Sequence, residues 1–358
     1  MGASAGAIGI IEGAAESMSS LLKLFAGNLS DRLGKRKFLV VGGYALAALT
    51  RPLLAFAVSW PQVLAIRLGD RVGKGIRSAP RDAMIADSVR IEQRGLAFGF
   101  HRAMDHSGAV IGPLIAYVLV AFFAGNFTRI FLIAAIPAFV AVLVAMFVMR
   151  ESPAVHTGKI KSVKLSLRGF DSNFKRFLLI LALFTLSNSS DAFLILRAQD
   201  TGVPFTIIPL LWSAHHASKV LSSLYGGDLS DRLGRKRLIV SGWVLYAAVY
   251  AGFAFVDNAF SVWALFLIYG LYFGLVEGAE KALVADLVRP EQRGTAYGLY
   301  NFAFGITVFP ASLLMGMIWD WKGPATAFLV SAVMGASAAV LLLIFVQQRV
   351  ENDLAPAT

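Results

Sequence analysis

The chain has 358 residues, 57% hydrophobic and 15% charged, with a formal net charge of +11 and a mean hydropathy of +0.67. These values exclude an ordinary soluble domain, and the lack of cysteine excludes disulfides, thiolate catalysis and Cys-ligated zinc or iron-sulfur centres. The basic excess does not read as nucleic-acid binding, because Lys and Arg gather in short polar breaks or sit singly inside apolar stretches.

A membrane-crossing helix needs about 20 mainly apolar residues. Such stretches predict an all-α membrane protein of eleven helices at 3–26, 38–58, 62–87, 95–124, 127–149, 176–198, 204–226, 238–256, 260–286, 294–319 and 325–346. The opening MGASAGAIGIIEGAAES has no basic leader and carries acids in its apolar run, so it does not read as a signal peptide. The breaks after the first, third, fifth, seventh and ninth helices are rich in Lys and Arg, for example Arg32, Lys35, Arg36 and Lys37, and the intervening breaks are nearly free of them. The positive-inside rule puts the basic breaks, and with them the C-terminus, in the cytoplasm. The expected organisation is an N-terminal bundle at 1–149, a basic linker loop at 150–175, a C-terminal bundle at 176–346 and a tail at 347–358.

Two landmarks repeat. GNLSDRLGKRK at 27–37 returns as GDLSDRLGRKR at 227–237, and VRIEQRGLAFG at 89–99 returns as VRPEQRGTAYG at 288–298. Parallel repeats of helix bundles are a transporter construction. Aligned by this offset, the halves hold five and six helices, and the helix at 176–198 has no counterpart in the first half. The expectation is a start assigned too late, which would restore six plus six, against a truncated gene or an eleven-helix variant.

The third helix carries the most chemistry. At about 100° per residue, Arg67, Arg71, Lys74, Arg77 and Arg81 fall within an arc of roughly 120°, flanked by Asp70 and Asp82. An ionised side chain at mid-membrane costs roughly 2.5–3.5 kcal/mol, so the stripe must face a hydrated pathway or pair with acids on neighbouring helices. Acids lie at Glu12, Glu16, Asp105, Asp191, Glu277 and Glu280, beside Lys23, Lys281, His101, Arg102 and His106. A row of buried pairs used only for packing would be less favourable than an apolar bundle. The set therefore reads as a central, net-basic pathway for an anionic solute, with the six acids as candidate proton carriers.

Gly69 and Gly73, and Gly270, Gly274 and Gly278, are spaced for close helix approach, and Pro80, Pro113 and Pro310 lie within predicted helices. His101 and Asp105 have an i,i+4 spacing that could hold a metal, but no third ligand is evident, so no metal or cofactor is expected. His215 and His216 point to different faces and read as pathway or satisfied core histidines.

Gly27, Leu29, Ser30, Asp31, Arg32, Gly34, Lys35 and Arg36 resemble the signature loop of the major facilitator superfamily, and Gly227 to Lys236 resemble its weaker second copy. The resemblance spans the chain and implies two six-helix bundles that rock about a central site. It further implies a cytoplasmic latch of Asp31, Asp87 and Arg94, with Gly27, Arg32, Gly34 and Arg36 beside it and Asp231, Arg232 and Gly234 as its echo. SGAVIGPLIA at 107–116 is similar to the fifth-helix motif of drug and proton antiporters, with Gly108, Gly112 and Pro113 in place but Ala116 where a glycine is expected.

The reading is a monomeric, multi-pass secondary transporter of a bacterial-type inner membrane, exporting a small anionic or zwitterionic solute or drug in exchange for protons. Arg67 to Arg81 and Arg102 line its path. A proton-coupled organic-anion symporter is the alternative in the same class; a transport-inactive membrane sensor or a truncated fragment is the alternative outside it. No nucleophile-base pair supports an enzyme.

Overall fold

In a computed structural model, residues 3–33, 35–88, 94–151, 166–288 and 292–347 are described. Twelve α-helices run through them: α1 Ala5–Leu33, α2 Arg36–Thr50, α3 Trp60–Asp87, α4 Arg94–Phe122, α5 Phe127–Phe147, α6 Ser172–Ser187, α7 Ala192–Asp200, α8 Ile208–Leu233, α9 Arg235–Phe255, α10 Ala259–Asp286, α11 Arg293–Lys322 and α12 Pro324–Phe345. There is no strand among the described residues. Short 3-10 turns at Arg51–Phe56 and Phe205–Ile207 extend α2 and precede α8.

The eleven predicted segments are all present, with three instructive differences. The segment at 176–198 is one span in two pieces, because the backbone leaves the helix at residues 188–191, in the polar run Asn188, Ser189, Ser190, Asp191. These side chains compete for backbone partners and favour a break. The two charged hooks, expected as loops, are mainly helix: α1 continues through Ser30 to Leu33, and α8 through Ser230 to Leu233. No proline interrupts either run, and α8 gives way to α9 through a one-residue turn. In the second copy Gly234 makes it with φ +87°, a left-handed conformation that suits glycine at a helix C-terminus. Asp31 and Asp231 are therefore positioned by helix ends rather than by a loop.

The third difference concerns apolarity. Among the described residues, eight spans are long and apolar enough to cross a membrane: those of α2, α4, α5, α6 with α7, α9, α10, α11 and α12. The long helices α1, α3 and α8 are not among them, and they carry Glu12, Glu16, the basic stripe, His215 and His216.

Two helix bundles result. In the first, α3 packs on α1 and α2, and α5 on α2; in the second, α8 packs on α10, α9 on α10 and α12, and α6 on α11 and α12. The second half has a dense aromatic core with Trp243, Tyr246, Tyr250, Tyr269, Phe174, Phe177, Phe253, Phe266 and Phe328 fully buried. In the first half, α4 and α5 turn Ile111, Ile115, Val118, Ile136, Val140 and Leu143 outward, an apolar surface suited to hydrocarbon.

Small residues let helices touch where the sequence predicts. A Cβ on Gly69 would lie 2.7 Å from Thr50 Cγ2, and one on Gly270 would lie 2.7 Å from Ser218 Cβ; Gly73 and Gly274 are equally tight, whereas Gly278 meets nothing within 4 Å.

The halves meet along two seams, α1 on α11 and α4 on α8. The first is closed at the end remote from the hooks. Asp320 accepts hydrogen bonds from the backbone N–H of Ala5 (3.0 Å) and of Gly6 (2.8 Å) at the start of α1. Farther in, Ser17 donates to the Gly305 carbonyl at 2.5 Å and accepts from the Phe309 N–H at 3.1 Å. On the second seam, Ser213 donates to the Val110 carbonyl at 2.7 Å, and the rings of Phe127 and Phe205 meet edge to face at 5.4 Å. The conformation is shut at the far end.

Candidate functional site

Helix α1 of the α1–α11 seam and α3, packed against it, supply a half-buried cluster of charge. Glu12 and Glu16 are one turn apart on α1, and Arg67, Arg71 and Lys74 succeed one another on the facing side of α3, so each carboxylate meets a cation. Arg67 Nη2 donates to both oxygens of Glu12 at 2.5 Å. Glu16 is shared: Arg71 Nη1 lies 3.6 Å from Oε2 and Lys74 Nζ 3.7 Å from Oε1. Both contacts are longer than a hydrogen bond. Arg71 Nε is buried without an acceptor. Two cations thus converge loosely on one carboxylate, and Lys23 adds a third positive field.

The rest of the stripe goes elsewhere. The Arg77 guanidinium lies 4.3 Å from the Tyr44 ring centroid on α2, with Nε and Nη1 lacking acceptors. Arg81 pairs with its neighbour Asp82 at 3.2 Å, and Asp70 is taken by Arg51 at 2.7 Å. The arc holds, but it serves two surfaces: Arg67, Arg71 and Lys74 face α1, and Arg77 faces α2. Arg102 falls on side chains outside the described ones.

Across the seam, the broken span carries Asp191 at the start of α7, with the Tyr269 hydroxyl donating to Oδ1 at 3.1 Å. It lies in the fields of Lys219, His216 and Glu16 of the other half. Lys219 Nζ sits 3.7 Å from the Phe273 ring centroid. His215 Nδ1 bonds to the Phe266 carbonyl at 2.9 Å, and its ring stacks on Tyr269 with centroids 5.3 Å apart, so it is a satisfied core histidine.

The other predicted carboxylates are separate. Glu280 lies inside the second bundle, where Oε1 accepts from Trp243 Nε1 (3.0 Å) and Oε2 from the Tyr300 hydroxyl (2.8 Å). Glu277 is half-buried one turn earlier on α10. Asp105 Oδ2 is 3.5 Å from His101 Nε2. No group of three His, Cys, Asp or Glu able to hold a metal occurs among the described residues. The glycines of the antiporter-like motif do not pack: added Cβ atoms at Gly108 and Gly112 would meet nothing within 4 Å, while Pro113 lies inside α4.

At the hook end, Gly34 lies outside the described residues, as do the side chains of Asp31, Arg32, Asp87, Arg94, Asp231 and Arg232 and the surroundings of Gly27. Two neighbours are described. Glu151, after α5, accepts from the N–H of Arg36 (2.9 Å) and of Lys37 (3.1 Å), capping α2. In the second half, Arg235 at the start of α9 pairs with Asp286 at the end of α10. By the sequence offset, Asp286 is the counterpart of Asp87.

Sequence reasoning missed Lys219, Tyr269, Trp243, Tyr300 and Asp320. Lys219 and Asp320 were visible as charges in apolar surroundings; the aromatic partners carry no signal that separates them from ordinary core.

Comparison with known proteins fits this architecture. The sequence model of the Major Facilitator Superfamily matches residues 1–196 and again 177–357, one match for each half. The chain belongs to the major facilitator superfamily. An uncharacterized MFS-type transporter of Methanocaldococcus jannaschii is 35% identical over 342 residues, 94% of this chain and 85% of that protein. A multi-drug resistance efflux pump PmrA homolog of Lactococcus lactis is 28% identical, covering 81% of this chain and 74% of its own length. Among solved structures, a nucleoside transporter NupG superposes with a TM-score of 0.80 at 15% identity, over 96% of this chain and 92% of that one. A D-xylose-proton symporter gives 0.76 at 18%, over 96% and 88%. At these identities the superpositions carry the superfamily fold alone.

Proposed function

We propose that the protein is a monomeric, proton-coupled exporter of a small zwitterionic solute, working by alternating access in the inner membrane with its hook end in the cytoplasm. In this reading the bundles at 1–149 and 176–346 rock about the seam, and the linker at 150–175 and the tail at 347–358 lie on the cytoplasmic side.

The observation that carries it is the sharing of Glu16 between Arg71 and Lys74 at 3.6 and 3.7 Å, beside a seam that divides the two halves. The two long contacts are easily exchanged for a solute. Its anionic group takes Arg71 and Lys74; its cationic group takes Glu16. A proton competes with that cationic group for the same carboxylate, and two ligands that exclude one another at a site open to each side in turn are exchanged. The name of the Lactococcus lactis relative, an efflux pump, supports the outward direction. The latch residues Asp31, Asp87 and Arg94 bias the closed state of the hook end, as the superfamily signature suggests.

A purely anionic solute makes the opposite prediction. A proton on Glu16 then frees Arg71 and Lys74, so proton and solute bind together and move as symport. The sign is measurable. In weakly buffered detergent solution at a pH where Glu16 is partly protonated, a zwitterion that binds should release protons, and Glu16→Gln should abolish the release. Proton uptake on binding instead selects the symporter. In proteoliposomes, a pH gradient that drives no zwitterion or anion in either direction overturns the transport reading.

A further inference from the structure

The break between α6 and α7 leaves a set of oxygen atoms with no assigned role. Backbone N–H groups bridge it only partly: the Asn188 N–H returns to the carbonyls of Phe184 and Thr185, and the Ser190 N–H goes to Ser312 Oγ at 3.2 Å. Among the described residues nothing donates to the carbonyls of Asn188 and Ser189. Two hydroxyls at the same place are orphaned. Ser189 Oγ, on a residue 5% exposed, and the Tyr250 hydroxyl, on a residue wholly buried, have no hydrogen-bond partner. The Tyr250 hydroxyl lies close to those of Ser189, Tyr246 and Tyr269 and to the carboxylate of Asp191, but none of these pairs has the geometry of a formed hydrogen bond. Tyr246 is committed to the Ser187 carbonyl at 2.6 Å, and Tyr269 to Asp191 Oδ1, leaving Oδ2 available.

Buried polar atoms left unpaired each cost about 1–3 kcal/mol, and several around one carboxylate are improbable unless something sits among them. The shared chemistry of these atoms is narrow: hard, neutral oxygens with a single formal negative charge. Nitrogen and sulfur ligands are absent from the set, which excludes the softer transition metals. Asp191 is the one formal negative charge among these atoms and Lys219 already shares its field, so a divalent ion would remain undercompensated in a low-dielectric interior. An unwound stretch of a membrane helix supplies carbonyls for such a purpose.

We propose that the α6–α7 break is a sodium-ion site, with Asp191 Oδ2, Ser189 Oγ, the Tyr250 hydroxyl and the carbonyls of Asn188 and Ser189 as its oxygen donors. The positive group that opposes it is Lys219 on α8, the His216 imidazole stands nearby on the same helix, and Glu16 on α1 favours it. The ion links α6 and α7 to α9 through Tyr250, and because Asp191 lies beside the seam its occupancy reports to the solute path. It is separate from the proton carried by Glu16 and does not depend on the identity of the solute.

The test uses the purified full chain with no solute present. Sodium-22 binding in detergent is expected to saturate at one ion per chain, to be displaced by unlabelled sodium much more readily than by potassium, and to be lost in Ser189→Ala and Asp191→Asn. Melting in sodium chloride should exceed that in choline chloride at equal ionic strength, and the double change Ser189→Ala, Tyr250→Phe should remove the difference while leaving the choline value close to wild type. Absence of sodium-22 binding by the wild type, with equal melting in both salts, would overturn the site and assign the orphan atoms to a trapped water. Binding that persists undiminished in Ser189→Ala and Asp191→Asn would also overturn it. Neither outcome bears on the exporter reading, whose tests require solute and a pH gradient.

Discussion

The carboxylate of Asp320 lies 2.8 Å from the backbone N–H of Gly6, so the last part of α11 in one half caps the first turn of α1 in the other. A carboxylate at a helix N-terminus satisfies orphan N–H donors and opposes the positive end of the helix dipole.

Removing it should loosen the far end. A cap of this kind contributes about 1 kcal/mol or somewhat more, and 1.4 kcal/mol is a factor of about ten in an equilibrium. Because the chain has no cysteine, a Cys placed at Ser312, which is fully buried on this seam, has no labelling background. Asp320→Ala is expected to raise its labelling by an impermeant thiol reagent up to about tenfold, and Asp320→Asn by less. Equal labelling in all three would remove Asp320 from the closure.

Close backbone approach makes a second prediction. A Cβ on Gly316 would stand 2.6 Å from the Ala5 carbonyl oxygen, too near for either backbone to accommodate without moving. Gly316→Ala should therefore separate α1 from α11, with a stability loss of about 1–3 kcal/mol in this conformation. Gly112→Ala meets open space on α4 and should melt within about 0.5 kcal/mol of wild type. The pair is read by thermal unfolding in detergent.

Glu280 tests the value of a buried acceptor. Glu280→Ala strands Trp243 Nε1 and the Tyr300 hydroxyl, two donors left without an acceptor, and should lose about 2–4 kcal/mol. Glu280→Gln keeps one oxygen and should lose less. A smaller loss for Ala than for Gln would contradict the role assigned to the carboxylate. Tryptophan emission, which senses Trp243, provides a second readout.

The hook end depends on one backbone angle. Gly234→Ala places a side chain at φ +87°, at a penalty of roughly 1–2 kcal/mol. The expected result is a lower melting temperature and a displaced start of α9, with weaker pairing of Arg235 and Asp286. Hydrogen exchange over residues 230–240 would reveal it. Unchanged exchange would mean that the turn tolerates a Cβ.

Much of the fold was legible because a bilayer imposes a coarse pattern: about 20 apolar residues per span and basic residues at alternate breaks. The duplicated hooks gave the two halves directly. The stripe from Arg67 to Arg81 was legible as a face, but its division between Glu16 and Tyr44 was not. Helical angle says where a side chain points, and not which neighbour stands there. The break at Asn188 to Asp191 lies at four consecutive polar residues inside an apolar span, yet length and mean apolarity on both sides predict one continuous helix there. Trp243, Tyr269 and Tyr300 were invisible as partners: an aromatic ring in a hydrophobic run looks the same whether or not its polar atom meets a carboxylate.

The α1–α11 seam engages at Ala5, Ser17 and, deepest, Ser20, where Gly305 would bring a Cβ to 3.0 Å. That interval is about 22 Å of helix at 1.5 Å per residue. Contacts spread along such a length need not fail at once. The outermost can part while the innermost hold, so in the alternating-access reading the far end would open like a zip from its tip, each step small, with the fulcrum moving inward toward Ser20 as it goes.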